Sequence, residues 1–268
     1  MKLELVVNQT VRWFQCNLLS MNYDKTHFLQ FLTTQQKALN IQIVVCNSII
    51  SNVNTTKFLG LIIDKDLSWK DHILDLKQKL NRACYAIRAT KPFMSQCALK
   101  NIYHSYFHSV MSYGIIFWGN SHASRDIFKV QKRVIRILSN KTKNDSCRLL
   151  FKQLQILTVP SQYIYSLLGF VVKNKNLFTA NSKIHKVYTR TMNNLHVPLV
   201  NLSMTQKGVL YLMGVMYSGS RLFNILPIQL KCLSDDFKLF RSLVRSFLLE
   251  HTLYSLDEFY QAISNDKL

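Results

Sequence analysis

Three successive helical patterns between residues 70 and 138 commit this chain to a mainly helical fold. After the polar break DKDLSW, Ile73, Leu76, Leu80, Ala83 and Ile87 recur every three or four residues, which gathers them on one helix face. The opposite side carries Lys70, Lys77, Lys79 and Arg82. Beyond Lys91-Pro92, the second pattern spreads Ile102, Tyr103, Tyr106, Phe107, Val110 and Phe117 over most of the circumference, which predicts a buried helix. The third, RDIFKVQKRVIRIL, is divided by its own geometry. At about 100° per residue, Ile127, Val130, Val134, Ile137 and Leu138 fall in one arc. Arg125, Lys129, Lys132, Arg133 and Arg136 fall in the other.

A charged helix face is ordinarily a solvated one. Here the arc encloses no carboxylate, with Asp126 only at its edge, so the five cations repel one another unless a polyanion sits opposite. The whole chain leans the same way. Its 268 residues hold 34 Lys and Arg against 14 Asp and Glu, a formal charge of +20, which favours phosphate backbones and, less specifically, anionic membrane surfaces. With 48% hydrophobic residues it has enough apolar material for a sizeable core. No stretch approaches the roughly 20 apolar residues that cross a bilayer, GVLYLMGVMYSG being too short, and MKLELVVNQTVRWF lacks the pattern of a secretory signal. The expected compartment is therefore intracellular, nuclear or cytoplasmic, with no membrane partner. Cys16, Cys46, Cys84, Cys97, Cys147 and Cys232 show no paired short spacing and read as buried free thiols, without a zinc knuckle or finger.

The flanks of the helical run read differently. Residues 3 to 19 form an amphipathic pattern through Leu5, Val6, Val11, Phe14 and Leu18. After the turn MNYDKT, HFLQFL and IQIVV read as strands separated by polar TTQQKALN, NSIISNVNTT reads as a turn, and TKFLGLIID reads as a further strand. On the C-terminal side, SQYIYSLLGFVVKNKNLF reads as a helix with a basic end. KIHKVYTRTMNNLHVPLVNL reads as irregular, and KGVLYLMGVMYSGSRLFNILP is compatible with a helix or a strand pair. DDFKLFRSLVRSFLLEH aligns Phe237, Phe240, Leu243, Val244, Phe247 and Leu248 along one side of a last helix. The predicted class is α+β, mainly α, with a small antiparallel sheet at the N-terminal end.

A family resemblance rests on these residues. LLSMNYDKTHFLQF, followed by TKFLGLIIDKDLSWKDHI, resembles the end of the palm of a reverse transcriptase from a jockey-like non-LTR retrotransposon. LNRACYAIR, YHSYFHSVMSYGIIFWGN, VQKRVIRIL, SCRLLFKQLQILTVPSQYIY and NLHVPLVNL resemble, in order, the thumb and C-terminal region of such elements. QKGVLYLMGVMYSGSRLFNILP departs from the pattern, being longer between QKGV and YSG. The resemblance implies a palm remnant over 1–66, a helical thumb-like domain over 67–175 and an extension over 176–268. It implies that Phe58, Leu59 and Gly60 correspond to a primer-gripping hairpin, and that RNA, DNA or an RNA–DNA duplex is the partner. The intact enzyme of this family is an RNA-directed DNA polymerase that uses Mg, held by carboxylates that include an aromatic-x-Asp-Asp turn. That turn occurs nowhere in this sequence, so the expectation is a chain that grips template and primer without catalysing by itself, with no cofactor of its own. The alternative is a non-enzymatic interaction scaffold with no role on nucleic acid.

Other residues with chemical potential have plainer readings. Leu233-Ser234-Asp235-Asp236 has Leu where an aromatic would stand, and Ser234 or Asp235 suits a helix N-cap. Asp64 and Asp66 end a strand and read as solvent-facing turn residues. His104 and His108 share a helix face as two zinc ligands would, but Ser105 stands where such a site needs Glu and no third ligand is evident. Lys25, in NYDKT, matches a family lysine proposed to protonate the pyrophosphate leaving group. Without an active site it is a turn lysine, retained as a candidate phosphate contact.

Overall fold

The computed structural model describes residues 2–31, 41–45, 48–184, 191–197 and 213–265. It is mainly helical with few strands, the α+β class expected. The chain divides into two compact units, Met1–Asp71 and His72–Leu268. The segments on either side of residue 175 both lie in the second unit.

In the first unit, helix α1 (Lys2–Cys16) lays Val11 on a small core made with Ile43, Val45 and Ile50. The helix stops at Cys16, short of the expected residue 19. Asn17 turns its side-chain amide back to the Trp13 carbonyl, 2.8 Å away, and Leu18 takes the left-handed conformation. Leu5 and Leu18, both assigned to the apolar face, are exposed. Strands β1 (His27–Phe28), β2 (Ile43–Val45) and β3 (Ser48–Asn52) form one sheet in the order β1-β3-β2. Its β2–β3 pairing is antiparallel, but β1 runs parallel to β3, so the sheet is mixed rather than antiparallel. SIISN, part of a segment expected as a turn, is strand β3, because Ile50 is buried opposite Ile43 while Ile49 pairs with Val44 on the exposed face. TTQQKALN and Cys46 lie outside the described residues.

TKFLGLIID is a hairpin and not a single strand. Strands β4 (Thr55–Phe58) and β5 (Leu61–Asp64) pair antiparallel, and Leu59 and Gly60 form the two-residue turn with φ of 46° and 83°. Positive φ at both central residues matches the right-handed twist of the strands. Asp64 is buried, not solvent-facing. Its carboxylate accepts from the backbone N–H of Asp66, Ser68 and Trp69 at 3.1, 2.8 and 2.8 Å, organising a loop in which Leu67 and Trp69 have positive φ.

The second unit takes nearly all of α2 (Lys70–Thr90), whose His72, Ile73, Leu76, Leu80, Ala83, Cys84 and Ile87 are buried. The aromatic pattern becomes α3 (Gln96–Ile102), one π-helical turn (Tyr103–His108) and α4 (Ser109–Ser112), after which left-handed Gly114 leads into α5 (Ile115–Trp118). It is buried on one side only: Tyr103, Phe107 and Met111 are enclosed, whereas Tyr106 is exposed. Helices α6 (Ser124–Leu138), α7 (Arg148–Leu154) and α8 (Val159–Lys173) follow. Full burial of Val134 or Leu138 on α6 contributes about 1.5–3 kcal/mol each.

Helix α8 packs against α5, α6 and the helices Met213–Ile225 and Phe237–His251. The first of these two resolves the ambiguous apolar stretch as helical from residue 213 onward. The second is capped by Asp236, which accepts from the N–H of Lys238 and Leu239, rather than by Ser234 or Asp235. Asp235 instead pairs with Lys175 at 2.6 Å. LDEFYQAISN forms a further helix, Leu256–Asn265. Most of KIHKVYTRTMNNLHVPLVNL lies outside the described residues, as do 206–212. No single helix among the described residues is long and apolar enough to cross a membrane.

Candidate nucleic-acid interface

The buried side of α6 is broader than its apolar arc. Phe128, Gln131 and Ile135 are enclosed together with Ile127, Val130, Val134 and Leu138, while Ile137 is only half-buried. Gln131 is fully buried and makes this possible. Its Nε2 donates to the Tyr103 hydroxyl at 3.0 Å and to the Leu157 carbonyl at 2.9 Å, and its Oε1 accepts from the Val159 N–H at 2.9 Å. One amide thus fixes α6 against the π-helical turn and the start of α8. Burial pushes the Tyr103 hydroxyl well above the ordinary tyrosine range.

With that side fixed, three of the five predicted cations face a common hollow of about 390 Å³. Lys129, Arg133 and Arg136 line it from α6, Arg88 from the last turn of α2, and Lys141 and Lys143 from the loop after α6. The remaining lining residue is Ile137, so among the described residues no carboxylate lines the hollow. Two guanidinium groups are held in place by one hydrogen bond each. Arg133 donates to Asn81 Oδ1 at 3.3 Å, and Arg136 Nε donates to the Asp145 carbonyl at 2.9 Å. A guanidinium so oriented keeps further N–H donors for an oxyanion in its planar fork. The negative end of the α6 dipole moderates the gathering of cations around its last turn.

The nearby carboxylates both accept hydrogen bonds, and one of them reaches a lining cation. Asp145 accepts from the backbone and hydroxyl of Thr142, at 2.6 and 2.8 Å, and those bonds hold its carboxyl below the usual range. Asp126 accepts from Lys129 at 3.0 Å and Lys77 at 3.1 Å, bonds that lower its carboxyl likewise. This corrects one expectation: Asp126 does reach the cationic arc and pairs with Lys129. The arc is also split. Lys132 points away from the hollow, its ammonium 4.8 Å from the Phe128 ring centre and 5.5 Å from that of Tyr254. The Arg148 guanidinium stands 4.3 Å from the same Tyr254 ring, anchored bidentately by Glu258. Arg125 is exposed and does not line the hollow. Arg88, Lys141 and Lys143 escaped periodicity because they belong to other elements. The run NKTKND just past the helix is the sequence signal that points to the last two.

The other predicted residues sit as follows. Phe58 and Leu59 are exposed at the tip of the β4–β5 hairpin, 61% and 73% accessible, with Gly60 completing the turn. Lys25 is exposed at the end of a single 3-10 turn, Tyr23–Lys25, and its backbone N–H donates to the side-chain oxygen of the capping Asn22 at 3.0 Å. His104 and His108 have ring centres 5.4 Å apart, and His108 Nε2 meets Gln162 Oε1 at 3.1 Å. Burial lowers both imidazoles. No cluster of three or more metal-ligating side chains occurs among the described residues. The five described cysteines are free, but only Cys84 and Cys147 are buried, against the expectation of buried thiols throughout. No protein-family model matches the chain, and comparison with curated proteins and with solved structures returned no match.

Proposed function

We propose that this protein binds nucleic acid through phosphate contacts at the basic hollow between α2 and α6, as the thumb of a jockey-like retrotransposon reverse transcriptase grips its template and primer. The observation that carries the reading is the convergence of six cations from three chain segments on one hollow with no lining carboxylate among the described residues. Such a set gains most from a ligand with closely spaced phosphates, because it relieves mutual repulsion as it releases counterions. The sequence resemblance supports the more specific reading of a reverse transcriptase fragment, with the hairpin tip at Phe58, Leu59 and Gly60 as primer grip and Lys25 as a phosphate contact. The absence of an aromatic-x-Asp-Asp turn from the 268 residues supports gripping without polymerisation by this chain alone.

The test is a salt titration of binding to an RNA–DNA duplex. Affinity falls steeply with salt and depends weakly on sequence, because cations meet phosphates rather than base edges. Changing Lys129, Lys132, Arg133 and Arg136 together to Glu abolishes binding; heteroduplex affinity that survives this change refutes the interface. Magnesium-dependent primer extension by the purified chain refutes the non-catalytic part.

A second reading has its own observation. Val44 and Ile49 form an exposed apolar pair on the outer face of the small sheet, as a protein-interaction scaffold would present. A stoichiometric protein partner, captured with no nucleic acid at physiological salt, favours that reading.

A further inference from the structure

We propose that the hollow receives single-stranded nucleic acid, with Arg133 and Arg136 holding phosphates while the Tyr85 ring stacks on an adjacent base. This rests on the nucleic-acid reading above and narrows it to a strand whose bases are unpaired at this point.

The argument begins with spacing on α2. Asn81, Tyr85 and Arg88 stand at i, i+4 and i+7, which places them on one stripe of the helix. The two ends of that stripe are fixed to the hollow: Asn81 accepts from Arg133, and Arg88 is part of the lining. Tyr85 stands between them on that stripe, outside the lining itself, and it is 72% exposed. An aromatic ring left this open leaves much of its apolar surface in water, where a large flat ligand face can cover it.

A cationic groove bordered by an exposed aromatic ring is the combination that binds single strands. In a duplex the bases are stacked inside and only phosphates reach such a surface, so Tyr85 would gain nothing. In a single strand the base next to a held phosphate is free to turn onto the ring. The site is tolerant of sequence, because every base has a π-face.

Binding of the full chain to a short oligothymidylate and to an abasic oligonucleotide of equal length, at one salt concentration, tests this. Wild-type protein binds the oligothymidylate more tightly. Tyr85→Ala lowers that affinity by about fivefold or more, as loss of one stacked base requires. It leaves abasic binding unchanged, which also shows that the variant is folded, and Tyr85→Trp retains the preference. Arg133→Gln weakens both ligands alike. Equal wild-type affinity for the two oligonucleotides, or equal losses on both from Tyr85→Ala, overturns the single-strand site while leaving phosphate binding intact. Binding of neither oligonucleotide nor duplex overturns the nucleic-acid reading itself.

Discussion

Lys129 donates to Asp126 across 3.0 Å, one helical turn back along α6, and Lys77 reaches the other oxygen of the same carboxylate at 3.1 Å from α2. The pairing joins two helices that build the basic hollow, yet it holds back part of the hollow's charge. Lys129 is 73% exposed, so the pair is well screened and its own contribution to stability is small.

Replacing Asp126 with Asn therefore strengthens nucleic-acid binding. It removes an anion paired with a lining cation and leaves Lys129 and Lys77 available for phosphate. The expected change is tighter binding at low salt and a log–log salt slope steeper by about one unit. Unchanged affinity and slope would show that Lys129 takes no part.

Lys132 and Arg136 separate in the same assay, although both belong to the predicted arc. Lys132 is committed to the Phe128 and Tyr254 rings, so Lys132→Gln changes affinity little. Arg136 lines the hollow with its guanidinium oriented by the Asp145 carbonyl, and Arg136→Gln lowers the salt slope by about one. Equal effects from the two variants would argue for a diffuse basic surface instead of a hollow.

Gln131→Leu destabilises the second unit without touching the charged surface. The buried amide serves two acceptors and one donor, and its loss leaves the Val159 N–H and the Leu157 carbonyl enclosed without that partner. A cost of about 2–4 kcal/mol follows from unsatisfied buried groups and is measured by denaturant unfolding. A loss below about 1 kcal/mol would mean that the three elements repack around the change.

At the hairpin, Leu59 occupies a left-handed position that a β-carbon disfavours by about 1–2 kcal/mol. Asn tolerates this conformation and, before Gly60, gives the Asn-Gly sequence preferred in such turns. Leu59→Asn is expected to stabilise the first unit by up to about 1 kcal/mol. Thermal or denaturant melts that shift downward would contradict the turn geometry.

Stability also falls on mild acidification. Burial, the largest cause at each, lowers the imidazoles of His72, His104 and His108 below their ordinary value. Between those lowered values and about 6.5 the unfolded chain binds more protons than the folded one, so stability rises with pH across that window. It is lost as pH falls from about 6.5 toward the folded-state values. The carboxyls of Asp126 and Asp145 act in the same direction, but only below about pH 4. A lower Tm at pH 5.5 than at pH 7.5 is expected, with the difference reduced in a His104→Gln, His108→Gln variant. A flat profile across the window would exclude it.

Local pattern determined the large elements. The spacing of Ile73, Leu76, Leu80, Ala83 and Ile87 is reproduced as the buried side of α2, because a 3.6-residue repeat admits one continuous apolar face. The same reasoning on α6 identified Ile127, Val130, Val134 and Leu138 as core and Lys129, Arg133 and Arg136 as solvent-facing. Only tertiary contacts decided the rest. Gln131 is buried because Tyr103, Leu157 and Val159 supply partners from distant parts of the chain, and a polar residue's burial depends on those partners rather than on its neighbours in sequence. Lys132 leaves the arc because Tyr254, more than a hundred residues away, offers a ring beneath it. Arg88, Lys141 and Lys143 join the hollow because α2 and the loop after α6 are folded beside one another. Periodicity shows which way a side chain leans from its own helix, whereas the charges it meets there depend on which segments the core brings alongside.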